Sequence, residues 1–218
     1  MIAELVRLHA RQPLIVVADE HQWQTVVAYG WWTRIVRSAR AIALLHEAGL
    51  AHEASPIVRT VLHHAMALKW LLLDPEGVLP ALDYEHWKET GSMQTRAEHL
   101  GWEVGNPTQP NPAPTKPEGY KYLKKLSDLC DLVGHPNAYL VYQSESKYVH
   151  PTWLSASAYV DSVSSELLNR STSGTSLRAV VVFATGATAD VASHLGIDDL
   201  RRRAFELAAE VGVDLDSG

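Results

Sequence analysis

Fifteen residues, GNPTQPNPAPTKPEG at 105–119, carry five of the chain's eleven prolines. Proline fixes φ and removes a backbone donor, so no helix and no central strand can run through this stretch. It separates an N-terminal half of about 20–104 from a C-terminal half of about 120–213. A chain of 218 residues can bury one sizeable core. The two halves are therefore expected to pack as a single all-α domain over 1–218, joined by the proline-rich connector.

Before the connector, HQWQTVVAYGWWTRIVRSARAIALLHEAG (21–49) keeps apolar residues at helical spacing and stops at Gly49. EASPIVRTVLHHAMALKWLLLD (53–74) predicts a second helix, with Ser55 as N-cap and Pro56 at the first helical position. It is apolar on nearly every side and is expected to run through the middle of the bundle. A third helical stretch covers about 76–102.

After the connector, GYKYLKKLSDLCDLVG (119–134) reads as one amphipathic helix ending at Gly134, and NAYLVYQSESKYVH (137–150) as the next. His150 precedes a proline, which disfavours helical backbone, so the helix is interrupted there. Pro151 can open a further helix, TWLSASAYVDSVSSELL (152–168), and TSGTS (172–176) is a turn. LRAVVVFATGATADVASHLG (177–196) and DDLRRRAFELAAEVG (198–212) close the chain, the latter capped by Asp198 and stopped by Gly212. Strand signals are scarce and no internal repeat occurs. The fold class is an all-α, multi-helix bundle.

Composition narrows the function classes. The single cysteine, Cys130, excludes an internal disulfide framework and suits a reducing compartment. PLIVVA (13–18) is too short for a secretory core and is followed by Asp19 and Glu20. No stretch reaches the roughly 18 to 20 apolar residues of a membrane span. A cytoplasmic protein with no membrane partner is the expectation. A formal charge of −6 argues against a dedicated nucleic-acid binder, which needs a concentrated basic surface.

Tyr142, Ser146 and His150 are spaced i, i+4, i+8 and line a helix stripe. A serine one turn before a histidine invites a nucleophile–base reading. No glycine-rich elbow surrounds the serine, however, and no oxyanion donors are identifiable. The alternatives are a binding pocket, or a helix end where Ser146 bonds back within its own helix.

Arg59 lies one turn into the most apolar helix, one turn before His63 and close to His64. A guanidinium buried there without partners costs several kcal/mol, so it needs an acid or an anionic ligand. Glu53, just upstream, is one candidate; a buried ion pair or a snorkelling arginine is the structural alternative.

Arg59–His64 and Arg40–His46 both fit an R-x(4–6)-H spacing. Twelve arginines and eleven histidines give about two such matches by chance, so the spacing decides nothing. Arg34, Arg37 and Arg40 share one face and read as a solvated stripe, with phosphate binding the alternative. His46 and His52 straddle the Gly49 break without metal-ligand spacing, and no metal or cofactor is expected. The seven tryptophans read mostly as core filling. Adjacent Trp31 and Trp32 cannot both face one core, so one of them suggests a partner or homodimer surface.

Two stretches together carry a resemblance. SARAIALLHEAGLAHEASPIVRTVLHHAMALKWLLLDPE (38–76), followed downstream by YQSESKYVHPT (142–152), resembles a bacterial all-helical family of unknown function. That family shows L-x(3)-G, E-A, then an R-x(3)-E helix, and later Y-x(3)-S-x(3)-H-P-[ST]. The correspondence falls on Gly49, Glu53, Ala54, Arg59, Tyr142, Ser146, His150, Pro151 and Thr152. His63 stands where the family carries the acid after the arginine, so Arg59 needs another neutralising partner here. The family is similar in layout to HEPN domains, which serve toxin–antitoxin and defence systems as ribonucleases or as inactive nucleotide-binding modules. That link is analogy of fold alone.

The resemblance implies that the two constellations meet. Arg59, His63, Tyr142, Ser146 and His150 are then the expected binding residues for a small anionic or nucleotide-like ligand. Arg59, His64 and His150 are the catalytic candidates of a metal-independent ribonuclease acting on RNA. A hydrogen-bonded network that only fixes helix register, in a structural or protein-interaction module, is the third reading.

Overall fold

The computed structural model of the chain describes residues 1–11, 22–102, 113–151, 153–160, 164, 166, 177–213 and 215. Among these, ten α-helices and no strand occur, which meets the all-α expectation. They are α1 (Ile2–Ala10), α2 (Gln22–Glu47), α3 (Ser55–Leu73), α4 (Pro75–His99), α5 (Tyr120–Lys124), α6 (Leu126–Leu132), α7 (Pro136–Val149), α8 (Trp153–Ser157), α9 (Leu177–His194) and α10 (Asp198–Glu210). A one-turn 3-10 helix, His52–Ala54, leads into α3.

Helix α3 occupies the middle, packed on α2, α4, α6, α7 and α9. Its sequence dictates this position. Val58, Val61, Leu62, Leu68, Trp70 and Leu71 are all buried, although they point in several directions around the helix. Each large apolar side chain taken fully out of water contributes roughly 1.5 to 3 kcal/mol. Trp32 of α2 is buried beside α9, and its indole N–H donates to Thr188 Oγ1 at 3.0 Å. A buried indole needs such a partner, and this one fixes α2 against α9.

Several boundaries depart from expectation. Ser55 is not a cap but the first residue of α3, because the 3-10 turn feeds helical backbone straight into it (Ala54 φ −76°, ψ −20°). Asp198 likewise stands inside α10, with Ile197 at the cap position and no side-chain cap. The helix expected over 119–134 is two short ones, broken at Lys125 (φ −129°, ψ 93°). The break lets Tyr120 turn toward Tyr84 of α4 while Leu126, Leu129 and Cys130 enter the core. The helix opened by Pro151 ends at Ser157 and gives way to a turn at Ala158. Helix α1 was not anticipated from the sequence. It packs on α2, with His9 Nε2 and Thr33 Oγ1 2.9 Å apart.

Two glycines have clear causes. Gly49 ends α2 at φ 75°, a conformation glycine adopts without a Cβ clash. A Cβ on Gly119 would fall 2.8 Å from the Gly77 carbonyl oxygen and 3.0 Å from the Trp70 ring. That close approach seats the start of α5 against α4.

Core filling describes Trp32 and Trp70. Trp23, Trp102 and Trp153 are exposed, each at or just past a helix end. Arg34, Arg37 and Arg40 are exposed as a solvated stripe would be. Residues 13–18, 105–112 of the connector and the 172–176 turn lie outside the described residues. Among the described residues, no helix is long and apolar enough to cross a membrane.

Candidate functional site

Helices α3 and α7 pack against each other, as expected for the two constellations. They run in opposite directions. Early in α3, Arg59 meets Tyr142 midway along α7; further on, Lys69 borders the same cavity as His135, just before α7 begins.

Arg59 is half-buried. Its guanidinium lies over the Tyr142 ring, with Cζ 4.5 Å from the centroid, and a terminal nitrogen donates to the phenol oxygen. Tyr142 in turn stacks on Tyr139 at 6.0 Å with 14° between ring planes. The planar, weakly hydrated guanidinium suits an aromatic face, and such a contact stabilises by roughly 0.5 to 2 kcal/mol. Among the described residues no carboxylate forms an ion pair with Arg59, and its buried Nε makes no hydrogen bond.

Glu53, the expected counter-ion, has a different partner. The Tyr159 hydroxyl donates to it, and this bond, more than burial, holds the Tyr159 phenol above its ordinary range.

His63 stands one turn beyond Arg59 on the same face of α3. Burial lowers the pKa of its imidazole, and His64, Arg59 and Lys124 lower it further. Lys124, at the end of α5, pairs with Glu85 of α4. Arg59 and Lys124 are thus the cations near a neutral imidazole.

The remaining expected residues diverge. His64 lies five residues from Arg59, about 140° around the helix, and faces α2. Its Nδ1 lies 2.8 Å from the Thr60 carbonyl oxygen, and its ring meets the half-buried Trp31 edge-on at 6.4 Å. Ser146 donates back to the Tyr142 carbonyl oxygen at 2.7 Å, inside its own helix. His150 ends α7 in extended backbone (φ −96°, ψ 154°) and is exposed. Arg59, His63 and Tyr142 therefore come together; Ser146 touches Tyr142 only at its backbone carbonyl, and the His64 and His150 side chains do not join them.

Other residues lie near the seam that the sequence reading did not place in the pocket. His52 is buried with its ring 4.5 Å from Tyr148 and 6.3 Å from Tyr159, and Glu145 is buried beside it. Burial lowers the His52 imidazole, while Glu53 and Glu145 pull it the other way. The signal was the spacing 138, 142, 145, 148/149, which follows 3.6 residues per turn. Cys130 is buried, and burial pushes its thiol up to about 11, which leaves it a core side chain rather than a nucleophile.

A helical bundle whose polar residues gather along one internal seam is the class these observations define. Residues 25–167 match the model of the family of unknown function DUF5677, and the chain belongs to that family. The match takes in Arg59 and the whole of α7. No curated protein and no solved structure matches the chain.

Proposed function

We propose that the protein binds a small anion, phosphate- or carboxylate-bearing and nucleotide-like, at the Arg59–Tyr142 contact. The observation that carries this reading is the half-buried guanidinium of Arg59, held on a tyrosine face with no carboxylate partner among the described residues and its Nε unbonded. A desolvated cation without a counter-charge is unfavourable by several kcal/mol, and a bound anion relieves it through charge-assisted hydrogen bonds. His63 supports the reading, because its pKa is depressed partly by positive neighbours that an anion would offset.

Thermal-shift and calorimetric titrations with inorganic phosphate, a nucleoside monophosphate and the matching nucleoside test it. The two phosphates should stabilise the protein and the nucleoside should not, and Arg59→Met should remove the effect. No stabilisation by either phosphate at millimolar concentration overturns the proposal. His64→Ala should leave phosphate binding unchanged, since His64 faces α2. RNA degradation that is lost in both Arg59→Ala and His64→Ala would replace this reading with the ribonuclease.

A further inference from the structure

At the far end of the same seam, Lys69 of α3, His135 in the turn before α7 and Asp190 of α9 border one cavity of about 580 Å³. That volume lies within the range of small-molecule sites. Met66, Val141, Val182, Phe183 and Phe205 supply apolar wall. The three polar groups feel one another. Burial raises the Asp190 carboxyl while Lys69 and His135 draw it back, and burial lowers His135 with Lys69 adding and Asp190 opposing. Among the described residues, however, Lys69 and Asp190 form no ion pair, and none of the three side chains makes a hydrogen bond. None has an atom sealed in the packed core without a partner either, and all three line the cavity.

Opposite charges that line one cavity without closing on each other, Lys69 and the exposed Arg178 against Asp190, constrain the occupant. An apolar guest desolvates these charges and pairs none of them. A simple anion leaves Asp190 facing a like charge, and a simple amine does the same to Lys69. We propose that the cavity binds a zwitterionic small molecule of the amino-acid type with an apolar side chain. Its ammonium group meets Asp190, its carboxylate meets Lys69, and its side chain rests against Phe183 and Phe205. His135, held neutral, supplies a hydrogen bond to either end. This site is separate from Arg59, and neither depends on the other.

The test titrates the full chain with phenylalanine, 3-phenylpropionate and phenethylamine, which share one ring and differ only in charged groups. Phenylalanine should bind about tenfold more tightly than either analogue, one decade of affinity. Lys69→Met should erase its advantage over phenethylamine, and Asp190→Asn its advantage over 3-phenylpropionate. Gly186 lines the cavity from α9, and a Cβ there meets nothing closer than Leu215 Cδ2 at 3.9 Å. Gly186→Leu therefore has room to enter the cavity and replaces a poor helix former with a good one. It should abolish phenylalanine binding while circular dichroism and melting temperature hold. Should Gly186→Leu fail to fold, the Lys69 and Asp190 variants decide the matter alone. Equal binding by a single-charge analogue, phenylalanine binding that survives Gly186→Leu, or no binding of phenylalanine at millimolar concentration overturns the proposal. Phosphate titration of the same samples reads the Arg59 site independently.

Discussion

The two ends of the α3–α7 seam each present one α3 cation to a polar neighbourhood, and they solve the same problem differently. At one end Arg59 spreads its guanidinium on Tyr142, which is stacked on Tyr139. At the other, Lys69 borders an open cavity that Asp190 also lines. The chemistry of the two cations explains the contrast. A delocalised, planar guanidinium gains from an aromatic face and tolerates partial burial. A compact ammonium is strongly hydrated and needs a carboxylate, water or a ligand. The Arg59 end is therefore held by its aromatic stack, with the charge left for an anion, and the Lys69 end is filled by whatever enters it. Both walls of the first end also fall within the family match at 25–167, whereas α9, which carries Asp190, lies beyond it.

Truncating a wall at each end should give the largest difference. Tyr142→Ala removes the ring between Arg59 and Tyr139 and strands a half-buried cation, so urea denaturation should show a loss of roughly 2 to 3 kcal/mol. Val141→Ala, one residue away but lining the cavity, removes contacts that are already incomplete and should lose about 1 kcal/mol. Equal losses would mean that the cavity end is packed as tightly as the arginine end, and the contrast would fall.

Double-mutant cycles ask the same question with charge instead of volume. Arg59→Met combined with Tyr142→Leu should reveal a coupling of about 1 kcal/mol, as expected for a cation on an aromatic face. Lys69→Met combined with Asp190→Asn should couple by less than about 0.5 kcal/mol, because no ion pair closes between them. A larger second value would show that the two charges pair directly in solution, leaving no role for a zwitterionic guest.

Much of this layout was legible beforehand, and the failures have separate causes. The buried α3, the stops at Gly49 and Gly212, and the interruption at His150 follow from local rules of periodicity, positive φ and proline. The meeting of Arg59 with Tyr142 was also anticipated, from motif resemblance rather than from spacing. The stripe Tyr142, Ser146, His150 was misleading because each i+4 step drifts about 40° around the helix. Two steps carry the line off the buried face, which runs instead through Ala138 and Glu145. Lys69, His135 and Asp190 were beyond reach for another reason. They lie on three separate segments, and only tertiary packing brings them to one cavity. The break at Lys125 has no glycine or proline to announce it; docking of Tyr120 on α4 outweighs local helix propensity.

Acid titration separates the ends more gently. His63 has its folded pKa below the ordinary value of about 6.5, so the unfolded chain binds the proton first. Its contribution to stability is present at neutral pH and is lost as pH falls from about 6.5 toward the depressed value. Asp190 has the opposite sign. Its folded pKa lies above the ordinary value of about 4, so the folded protein gains relative stability as pH falls through that raised value. Melting temperature followed against pH should therefore fall less steeply below about 6.5 in His63→Gln than in the parent, and more steeply near pH 4 in Asp190→Asn. Phosphate bound at Arg59 should raise the His63 pKa, observable in its imidazole NMR shifts, and should leave His135 unmoved. A matched response of both histidines would merge the two ends into one electrostatic unit.

The smallest effect is expected at Ser146, and its smallness is informative. The Ser146 hydroxyl donates to the Tyr142 carbonyl oxygen one turn earlier in α7. A serine bonded in this way adds little to a helix and competes weakly with its backbone ladder. Ser146→Ala should therefore change stability by less than about 0.5 kcal/mol and leave phosphate binding at Arg59 as it was. A loss of phosphate affinity in Ser146→Ala at unchanged stability would show that the hydroxyl turns from its own helix to the bound anion. The site would then extend one turn further along α7, toward His150, and the arginine end would not be held by its aromatic stack alone.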